Sequence, residues 1–373
     1  MNTAKFIYDS PEKNADLYYA TGFRAPDPLI YFEHKNKKFL VLSDLEINRA
    51  ERQAKVNQCL SISKYSKKLK NTKPNPTIID IIEAIFRERG IKKLIVPKSM
   101  PFYVVDHLRS RRFVVNMGTH PFYLERLQKR SDELKHIESA QKIVFQAIKM
   151  VEEVLKKSSI KNGRLNYNKQ VLTSDRVRDL INVFLMENGC VASDTIVSSG
   201  AHSIDPHDAG SGPIKAHESI IVDIFPVSIK TLYCADATRT FCKGRAPDAL
   251  KKMYHTVKEA QELAISKIHA GVDGSSIHNF IHNYFEKNGF KTGEKNKRMQ
   301  GFFHSTGHSI GLEIHEEPLR ISINKEILKK GYVMSVEPGL YYAGIGGVRI
   351  EDLVYVDKNK SKILAGYPKK LEV

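Results

Sequence analysis

The sequence has 373 residues, of which 41% are hydrophobic and 27% are charged, and its formal net charge is +17. The length allows two domains with a sizeable buried core, and no apolar run approaches the roughly 20 residues that a membrane span needs. The first residues lack the apolar segment of a secretory signal and the four cysteines form no CxxC pair, so we expect reduced thiols in a cytoplasmic protein.

The positive charge is dispersed along the chain. Its clusters, such as Lys67-Lys68 and residues 295–298, are short and contain no interleaved aromatic residues. A polyanion-binding face gains affinity from cations gathered in one place. The composition therefore favours a solvated, lysine-rich surface and argues against nucleic acid or a membrane as the partner.

The first 120 residues alternate predicted strands and helices. Two strand-like runs flank a polar turn, which is typical of a hairpin. A later apolar segment has proline at its start, helical spacing within it and glycine at its end, which predicts a helix. In chain order the predicted elements are strands at 29–34 and 38–43, a helix over 76–90, a strand at 94–97, a helix over 101–112 and a strand at 113–115. They indicate a smaller N-terminal α/β domain over residues 1–120, without a cluster of candidate ligands.

A domain boundary is predicted near residues 118–121, so that a second domain spans residues 121–373. Its predicted elements are helices over 122–157 and 173–188, strands at 195–200, 219–225 and 232–241, helices over 247–270 and 275–288, and strands near 301–314, 332–337 and 347–356. Two helices followed by strands occur twice, which indicates an internal pseudo-repeat. We expect an α+β domain in which the strands of both halves pair into one curved antiparallel sheet.

Two aspartates lie close together on neighbouring predicted strands. Asp223 ends the apolar run SIIVD, and Asp236 lies in the next strand, LYCAD. If the strands form an antiparallel hairpin, the two side chains can face each other, with opposed Cβ atoms about 4.5–5.5 Å apart. That distance is close for two like charges unless a cation lies between them. The alternative is that one caps a turn and the other pairs with Arg239.

The second half of the domain offers a matching pair of glutamates. Glu337 interrupts an apolar strand before a Pro-Gly turn, and Glu351 lies in a β-branched strand. A buried glutamate is costly unless it is paired or bound to a metal ion. Side chains alternate along a strand, so Arg349 shares a face with Glu351 and could hold a metal-binding carboxylate in place. A simple Arg–Glu pair on a solvated face is the alternative.

Three histidines, His304, His308 and His315, occur within twelve residues of a glycine-containing segment. The helical HExxH motif of zinc proteases is excluded, because Ser-Thr-Gly separates the first two histidines. Four carboxylates with one imidazole form an oxygen-rich ligand set, which suits two divalent ions such as Mn²⁺, Co²⁺ or Fe²⁺.

In these motifs the chain resembles the creatinase-like, or pita-bread, metallopeptidases, within them the branch of Xaa-Pro aminopeptidases (aminopeptidase P) and prolidases. The family pattern is two aspartates on a hairpin followed by TRTF, a histidine in a glycine-containing segment, a glutamate in an EPG turn and a glutamate in an RIED strand. It occurs here in the same order, at Asp223, Asp236, His308, Glu337 and Glu351. The resemblance covers roughly residues 125–373, and the preceding α/β domain is similar in size to the N-terminal domain of the branch.

The resemblance implies that these five residues hold two divalent metal ions per subunit, with Mn²⁺ preferred and Co²⁺, Fe²⁺ or Zn²⁺ as alternatives. It implies that a metal-bridging hydroxide attacks the carbonyl group before proline and that Glu337 relays the proton. His315 then contacts the substrate carbonyl and the tetrahedral intermediate, His207 is a second active-site histidine, and His304 lines the proline-side pocket. The expected substrate is a proline-containing peptide, and the expected assembly is a homodimer or homotetramer.

Several activities are compatible with such a site. We favour an Xaa-Pro aminopeptidase, which acts on longer peptides, over a prolidase, which cleaves Xaa-Pro dipeptides. The N-terminal domain argues against a methionine aminopeptidase, and the full ligand set argues against creatinase. A non-catalytic pita-bread protein that binds nucleic acid or a protein partner is a further alternative, which the basic charge favours and the ligand set opposes.

The segment between the two aspartates departs from the family pattern. It has twelve residues where the family usually has ten. Paired residues of an antiparallel hairpin keep a constant index sum, so we expect the two extra residues to enlarge the loop and leave an Asp223–Asp236 pairing intact.

Overall fold

The structure, a computed structural model, describes residues 2–316 and 318–373, so that Met1 and Glu317 lie outside the described residues. The chain divides into two units, Met1–Arg126 and Leu127–Val373. Within the described residues, no helix is both long enough and apolar enough to cross a membrane. The four cysteines are free thiols, as the sequence predicts.

The first unit is built on a mixed sheet with helices on both faces. Its elements are β1 (Thr3–Asp9), α1 (Ala15–Thr21), β2 (Leu29–His34), β3 (Lys37–Leu42), α2 (Asp44–Gln53), β4 (Gln58–Ser61), α3 (Ile62–Lys70), α4 (Ile78–Glu88), β5 (Lys93–Val96), α5 (Phe102–Ser110) and β6 (Val114–Met117). The strand order is β4-β3-β2-β1-β5-β6. The central strands β1, β2 and β3 pair antiparallel, and the outer strands are added in parallel.

The pleat of the central strands explains their nearly continuous apolar sequence. Successive side chains point to opposite faces of a sheet. Phe6 of β1 and Phe32 of β2 pack against Phe86 of α4 in one apolar cluster. Their neighbours Ile7 and Tyr31 belong to a separate cluster that includes residues of α1 and α2. Both faces of the sheet are therefore buried.

Each half of the second unit contains two long helices and a set of later strands, and in the first half three short strands also lie between the helices. The first half contains α6 (Ser131–Lys157), β7 (Ser159–Lys161), β8 (Arg164–Tyr167), β9 (Gln170–Val171), α7 (Ser174–Glu187), β10 (Cys190–Val191), β11 (Ile196–Ser199), β12 (Ile220–Ile224), β13 (Val227–Ser228) and β14 (Ala237–Phe241). The second half contains α8 (Asp248–Lys267), α9 (Gly274–Lys287), β15 (Gly293–Lys295), β16 (Arg298–Gln300), β17 (Gly307–His308), β18 (Arg320–Ile321), β19 (Val333–Val336), β20 (Gly339–Tyr342), β21 (Gly346–Arg349), β22 (Asp352–Val356) and β23 (Ser361–Ile363).

The two halves of this unit meet along β14, β21 and the start of β22. The first half forms the antiparallel sheet β11-β12-β14, and the second forms β19-β22-β23 together with the hairpin β20-β21. Thr240 Oγ1 donates to the carbonyl oxygen of Arg349 at 2.8 Å. The backbone N–H of Glu351 donates to the carbonyl oxygen of Thr238 at 3.1 Å. Strands from both halves therefore line one site.

Four predicted elements differ from the structure. The strand predicted near 347–356 is two strands, β21 and β22, with Ile350 and Glu351 between them. The helix predicted over 122–157 begins only at Ser131, because the Glu133 carboxylate accepts from the backbone N–H of Arg130 at 2.7 Å and caps the first turn there. The strand predicted at 232–241 begins at Ala237, since Leu232 has a left-handed φ of 58° that no strand residue adopts. The strand predicted near 301–314 shrinks to Gly307–His308 and is otherwise loop.

Candidate metal centre

The first half of the second unit contributes Asp223 and Asp236. Asp223 lies within β12 and Asp236 immediately precedes β14. The expected Asp223–Asp236 pairing is wrong, because the register sets Asp223 opposite Thr238. Asp236 precedes Thr238 by two positions, and side chains two positions apart along an extended chain share a face. Although they are not paired across the strands, both carboxylates line the same cavity.

Two hydrogen bonds between the Gln141 side chain and the Asp236 backbone hold Asp236 in place. Gln141 of α6 donates from Nε2 to the carbonyl oxygen of Asp236 at 2.7 Å. The Asp236 N–H in turn donates to Gln141 Oε1 at 3.0 Å. Asp236 lies just before β14, and these two hydrogen bonds take the place of strand pairing for its backbone N–H and carbonyl groups. Its carboxylate faces the cavity. The sequence alternative, an Asp236–Arg239 pair, is not formed, since Arg239 pairs with Asp352 at 2.6 Å.

The second half contributes His308 and Glu337. His308 lies in β17, and its backbone N–H donates to Ser335 Oγ at 3.0 Å. Gly307 allows this approach, because a Cβ at that position would lie 1.9 Å from the Ser335 carbonyl oxygen. His308 Nε2 lies 3.4 Å from Glu337 Oε1 and 3.6 Å from Asp236 Oδ2. The imidazole therefore stands between carboxylates of both halves.

Glu351 lies in the short break between β21 and β22. Thr238 Oγ1 donates to Glu351 Oε2 at 2.9 Å. Arg349 does not pair with Glu351, which was the alternative to metal binding, but donates from Nη2 to Asp223 Oδ2 at 2.7 Å. It also donates from Nη1 to the Tyr341 hydroxyl at 2.7 Å. Arg349 thus holds a carboxylate of the opposite half, and the predicted metal-binding role of that carboxylate stays a prediction.

The electrostatics of this cluster favour a bound cation. Burial and then the neighbouring carboxylates Asp223 and Glu337 raise the pKa of Asp236 well above its ordinary value. Burial and then Asp236 do the same to the pKa of Glu351. Burial also raises the pKa of Glu337. A divalent cation stabilises the ionised forms of such groups.

The donor atoms also fit a metal ion. Candidate ligand atoms of Asp236, His308 and Glu351 lie within 4.8 Å of one another. Across the described residues, the buried atoms Asp223 Oδ1 and Glu351 Oε1 have no hydrogen-bond partner. A buried carboxylate oxygen without a partner is costly, and coordination of a metal ion would satisfy both oxygens. Carboxylate oxygens with one imidazole nitrogen suit first-row divalent ions.

The three remaining predicted histidines surround the same cavity, which has a volume of about 780 Å³. The rings of His308 and His315 are 4.3 Å apart and nearly perpendicular. His304 Nε2 lies 3.1 Å from the Tyr341 hydroxyl, and burial, followed by the charge of Arg349, lowers the pKa of His304 to about 3. His207 is exposed at the cavity wall, and the neighbouring Asp208 pairs with His202 instead.

Some residues of the site are not apparent from the sequence. Tyr341 and Gln141 reach the cluster through long-range contacts, and no quoted motif contains them. Arg320 also lines the cavity. Part of the cavity wall is apolar and is formed by Phe225, Phe303 and Ile314. Their sequence signal is only that each is an apolar residue within two positions of a predicted site residue.

Comparisons with known proteins agree with this geometry. The model of metallopeptidase family M24 matches residues 135–358. The "Uncharacterized peptidase YqhT" of Bacillus subtilis is 32% identical over 66% of this chain and 64% of its own length. The "Xaa-Pro dipeptidase" of Pyrococcus horikoshii is 30% identical over 74% of this chain and 73% of its own length. The chain thus matches about two thirds of the length of these curated relatives.

Solved structures resemble the fold over almost the whole chain. The X-Pro aminopeptidase from Thermotoga maritima superposes with a TM-score of 0.82 at 23% identity, covering 100% of this chain and 97% of that one. The prolidase from Pyrococcus horikoshii superposes with a TM-score of 0.79 at 26% identity, covering 99% of this chain and 95% of that one. The likeness to the Thermotoga structure is one of fold.

Proposed function

The chain belongs to metallopeptidase family M24, and we propose that it is a metallo-exopeptidase that hydrolyses the N-terminal Xaa-Pro bond of peptides. The observation that carries the proposal is the grouping of Asp236, His308 and Glu351, with candidate ligand atoms all within 4.8 Å. These buried groups come from three separate segments. A bound cation would offset the repulsion between the two carboxylates.

Two divalent ions fit the complete set of donors. Asp223, Asp236, His308, Glu337 and Glu351 would hold them, with Mn²⁺ preferred and Co²⁺, Fe²⁺ or Zn²⁺ as alternatives. Four carboxylates offer more donor atoms than a single tetrahedral site uses. When bound, such a pair of ions supplies a hydroxide nucleophile at neutral pH and polarises the substrate carbonyl group.

The side chains around the centre have separate roles in proton transfer, oxyanion stabilisation, ligand positioning and substrate contact. Glu337 faces the cavity and accepts the proton released as water attacks, then passes it to the proline nitrogen. His315, beside His308, donates a hydrogen bond to the oxyanion of the tetrahedral intermediate. Arg349 keeps Asp223 in place. His207 stands at the wall as a second histidine that contacts the substrate.

The cavity wall supports a preference for proline. Phe303 and Ile314 provide apolar surface, against which a pyrrolidine ring can pack. His304 is neutral because its pKa is lowered to about 3, so burying the proline ring beside it places no charge against apolar atoms. Proline has no N–H to donate, and its bond therefore needs a pocket that recognises shape.

Arg320 favours a second candidate, an Xaa-Pro dipeptidase. Arg320 lines the cavity, and a guanidinium group pairs well with a carboxylate. A dipeptide ends in a carboxylate directly at proline, whereas a longer peptide carries an amide there. The two activities therefore differ in whether the Arg320 guanidinium group pairs with a substrate carboxylate.

The experiment compares hydrolysis of Xaa-Pro, Xaa-Pro-Yaa and Xaa-Ala-Yaa peptides by the Mn²⁺-loaded protein, with chelator-treated protein as the control. An aminopeptidase cleaves Xaa-Pro-Yaa faster, and a dipeptidase cleaves Xaa-Pro faster and loses that preference in Arg320→Met. If both proline peptides remain intact, the peptidase proposal is wrong, and a non-catalytic binding protein takes its place.

We also propose that the enzyme is a homodimer or homotetramer. The support is its resemblance to the aminopeptidase P and prolidase branch. Light scattering coupled to size-exclusion chromatography measures the assembly mass against the 42.4 kDa of one chain.

A further inference from the structure

We propose that Lys129 is a positioning residue for His315, acting through a buried ion pair with Glu316. Lys129 Nζ lies 2.6 Å from Glu316 Oε2, and both side chains are only 1% exposed. Glu316 directly follows His315 in the chain. The inference rests on the proposed function, in which His315 stabilises the oxyanion.

Glu316 fixes the loop that carries His315. This loop connects β17 and β18, and its described residues contain little regular structure. The Glu316 carboxylate accepts from the backbone N–H of Leu312 at 3.0 Å, and its own N–H donates to the carbonyl oxygen of Ser309 at 2.9 Å. Through its side chain and its backbone, Glu316 thereby joins Leu312 and Ser309 in the turn that precedes His315.

Gly311 shows how closely this loop is packed. A Cβ at Gly311 would lie 2.5 Å from the Glu316 carboxylate. The Gly311 carbonyl oxygen also accepts from the backbone N–H of Cys234 at 2.7 Å. Cys234 lies two positions before Asp236, so the loop of His315 is joined to the segment that leads into β14.

Lys129 is itself held on a rigid support. Its backbone N–H donates to the carbonyl oxygen of Gly331 at 2.7 Å, and α6 begins two residues later. The Tyr233 hydroxyl donates to Glu133 Oε1, in the first turn of that helix, at 2.6 Å. The cation therefore reaches Glu316 from a helix start that is fixed on several sides.

The physical consequence of losing Lys129 follows from burial. Removing one member of a buried ion pair leaves an uncompensated charge, which is far more costly than losing an exposed pair. Glu316 would turn toward water and move the adjacent His315. Asp236 is held separately by Gln141, and His308 is held by Ser335. The change should therefore affect the transition state more than metal binding.

A double-mutant cycle tests this coupling. We expect Lys129→Met to lower kcat about 10–100-fold, as a small misplacement of a catalytic group does, with KM and bound metal unchanged. In a His315→Ala background the same substitution should cost nothing further, because the group it positions is gone. Lys142→Met, at an exposed lysine of α6, is the matched control and should leave kcat unchanged.

Additive losses in the cycle would overturn the positioning role, because Lys129 would then act through general stability. The variant Lys129→Met/Glu316→Gln removes both buried charges and should fold even where the single variant does not. Its kcat should remain at least about tenfold reduced, and a normal kcat in this folded variant also overturns the proposal. Full activity of His315→Ala alone would instead refute the proposed function of His315, and the positioning role with it.

Discussion

Arg349 donates a hydrogen bond to Asp223 at 2.7 Å, although the two residues are 126 positions apart. Both are buried. Arg349 lies in a strand of the second half of the unit and Asp223 in a strand of the first. A single guanidinium group therefore couples the two halves at the candidate metal centre, and it contacts Tyr341 as well.

We expect Arg349→Met to lower kcat/KM about 10–100-fold, because loss of a group that orients a metal ligand typically has that effect. Arg349→Lys should not restore the activity, since one ammonium group cannot reproduce the forked contacts with Asp223 and Tyr341. Steady-state kinetics on an Xaa-Pro substrate measure the effect. Arg24→Met, at an exposed ion pair, is the control, and equal kcat/KM in both variants would contradict the role.

Asp236→Ala should abolish activity and most metal binding while leaving the fold intact. Burial is the main cause of the raised pKa of Asp236, and the neighbouring carboxylates raise it further. Removing the Asp236 carboxylate therefore relieves repulsion in the metal-free protein. We therefore expect a metal-free Tm no lower than that of the unchanged chain. Asp205→Ala, at the wall of the same cavity, should retain its metal. Full activity of Asp236→Ala, measured with bound Mn²⁺, would refute the ligand assignment.

Chelation should destabilise the second unit. A ligand at 100 times its Kd stabilises the folded state by about 2.7 kcal/mol, which corresponds to a Tm shift of about 5–10 °C for a domain of this size. Differential scanning calorimetry with Mn²⁺ and with a chelator measures the shift. Asp236→Ala should show a much smaller difference. Identical melting of the unchanged protein under both conditions would count against a structural metal contribution.

Asp80 should make the first unit sensitive to acid. Burial alone would raise its pKa, but hydrogen bonds from Lys73 and Thr77 prevail and lower it to about 2 from an ordinary 3.8. A depressed pKa stabilises the fold above pH 3.8, and the contribution is lost as pH falls through about 2. Because the Lys73 side chain is 46% exposed and its charge is screened by solvent, the contribution at neutral pH is on the order of 1–2 kcal/mol.

Urea unfolding of Asp80→Asn and the unchanged chain at pH 7, 4 and 2 checks this prediction. The variant should be less stable at pH 7, and the gap should close toward pH 2, because protonation removes the same charge from the unchanged chain. Asp106→Asn, at an exposed position, is the control. A gap that stays constant across this range would show that the charge of Asp80 does not carry the effect.

The sequence predicts the family and the pita-bread fold class, and the comparisons confirm both. Motifs such as EPG and RIED make these predictions possible, because their residues are consecutive in the sequence and can be identified without tertiary contacts. The structure brings the five predicted ligands to one cavity, and their metal-binding role stays a prediction. Tyr341 and Gln141 were not predicted, because long-range contacts alone place them beside the candidate ligands.

The errors share one physical origin. An index-sum argument fixes a hairpin only if the strand continues to its turn, whereas here β14 begins at Ala237 and Asp223 pairs with Thr238. Similarly, the apolar pattern before Ser131 resembles a helix, but capping by Glu133 sets where the helix starts. Registers and caps depend on tertiary partners that a local pattern does not contain.

The distribution of the candidate ligands has a consequence for biogenesis. Asp223 and Asp236 belong to the first half of the second unit, whereas His308, Glu337 and Glu351 belong to the second. During synthesis the early half presents two acidic groups without the imidazole and the glutamates that complete the set. If these five residues hold metal, we expect loading to require that both halves have docked. Separately expressed halves should regain metal affinity only when they are recombined.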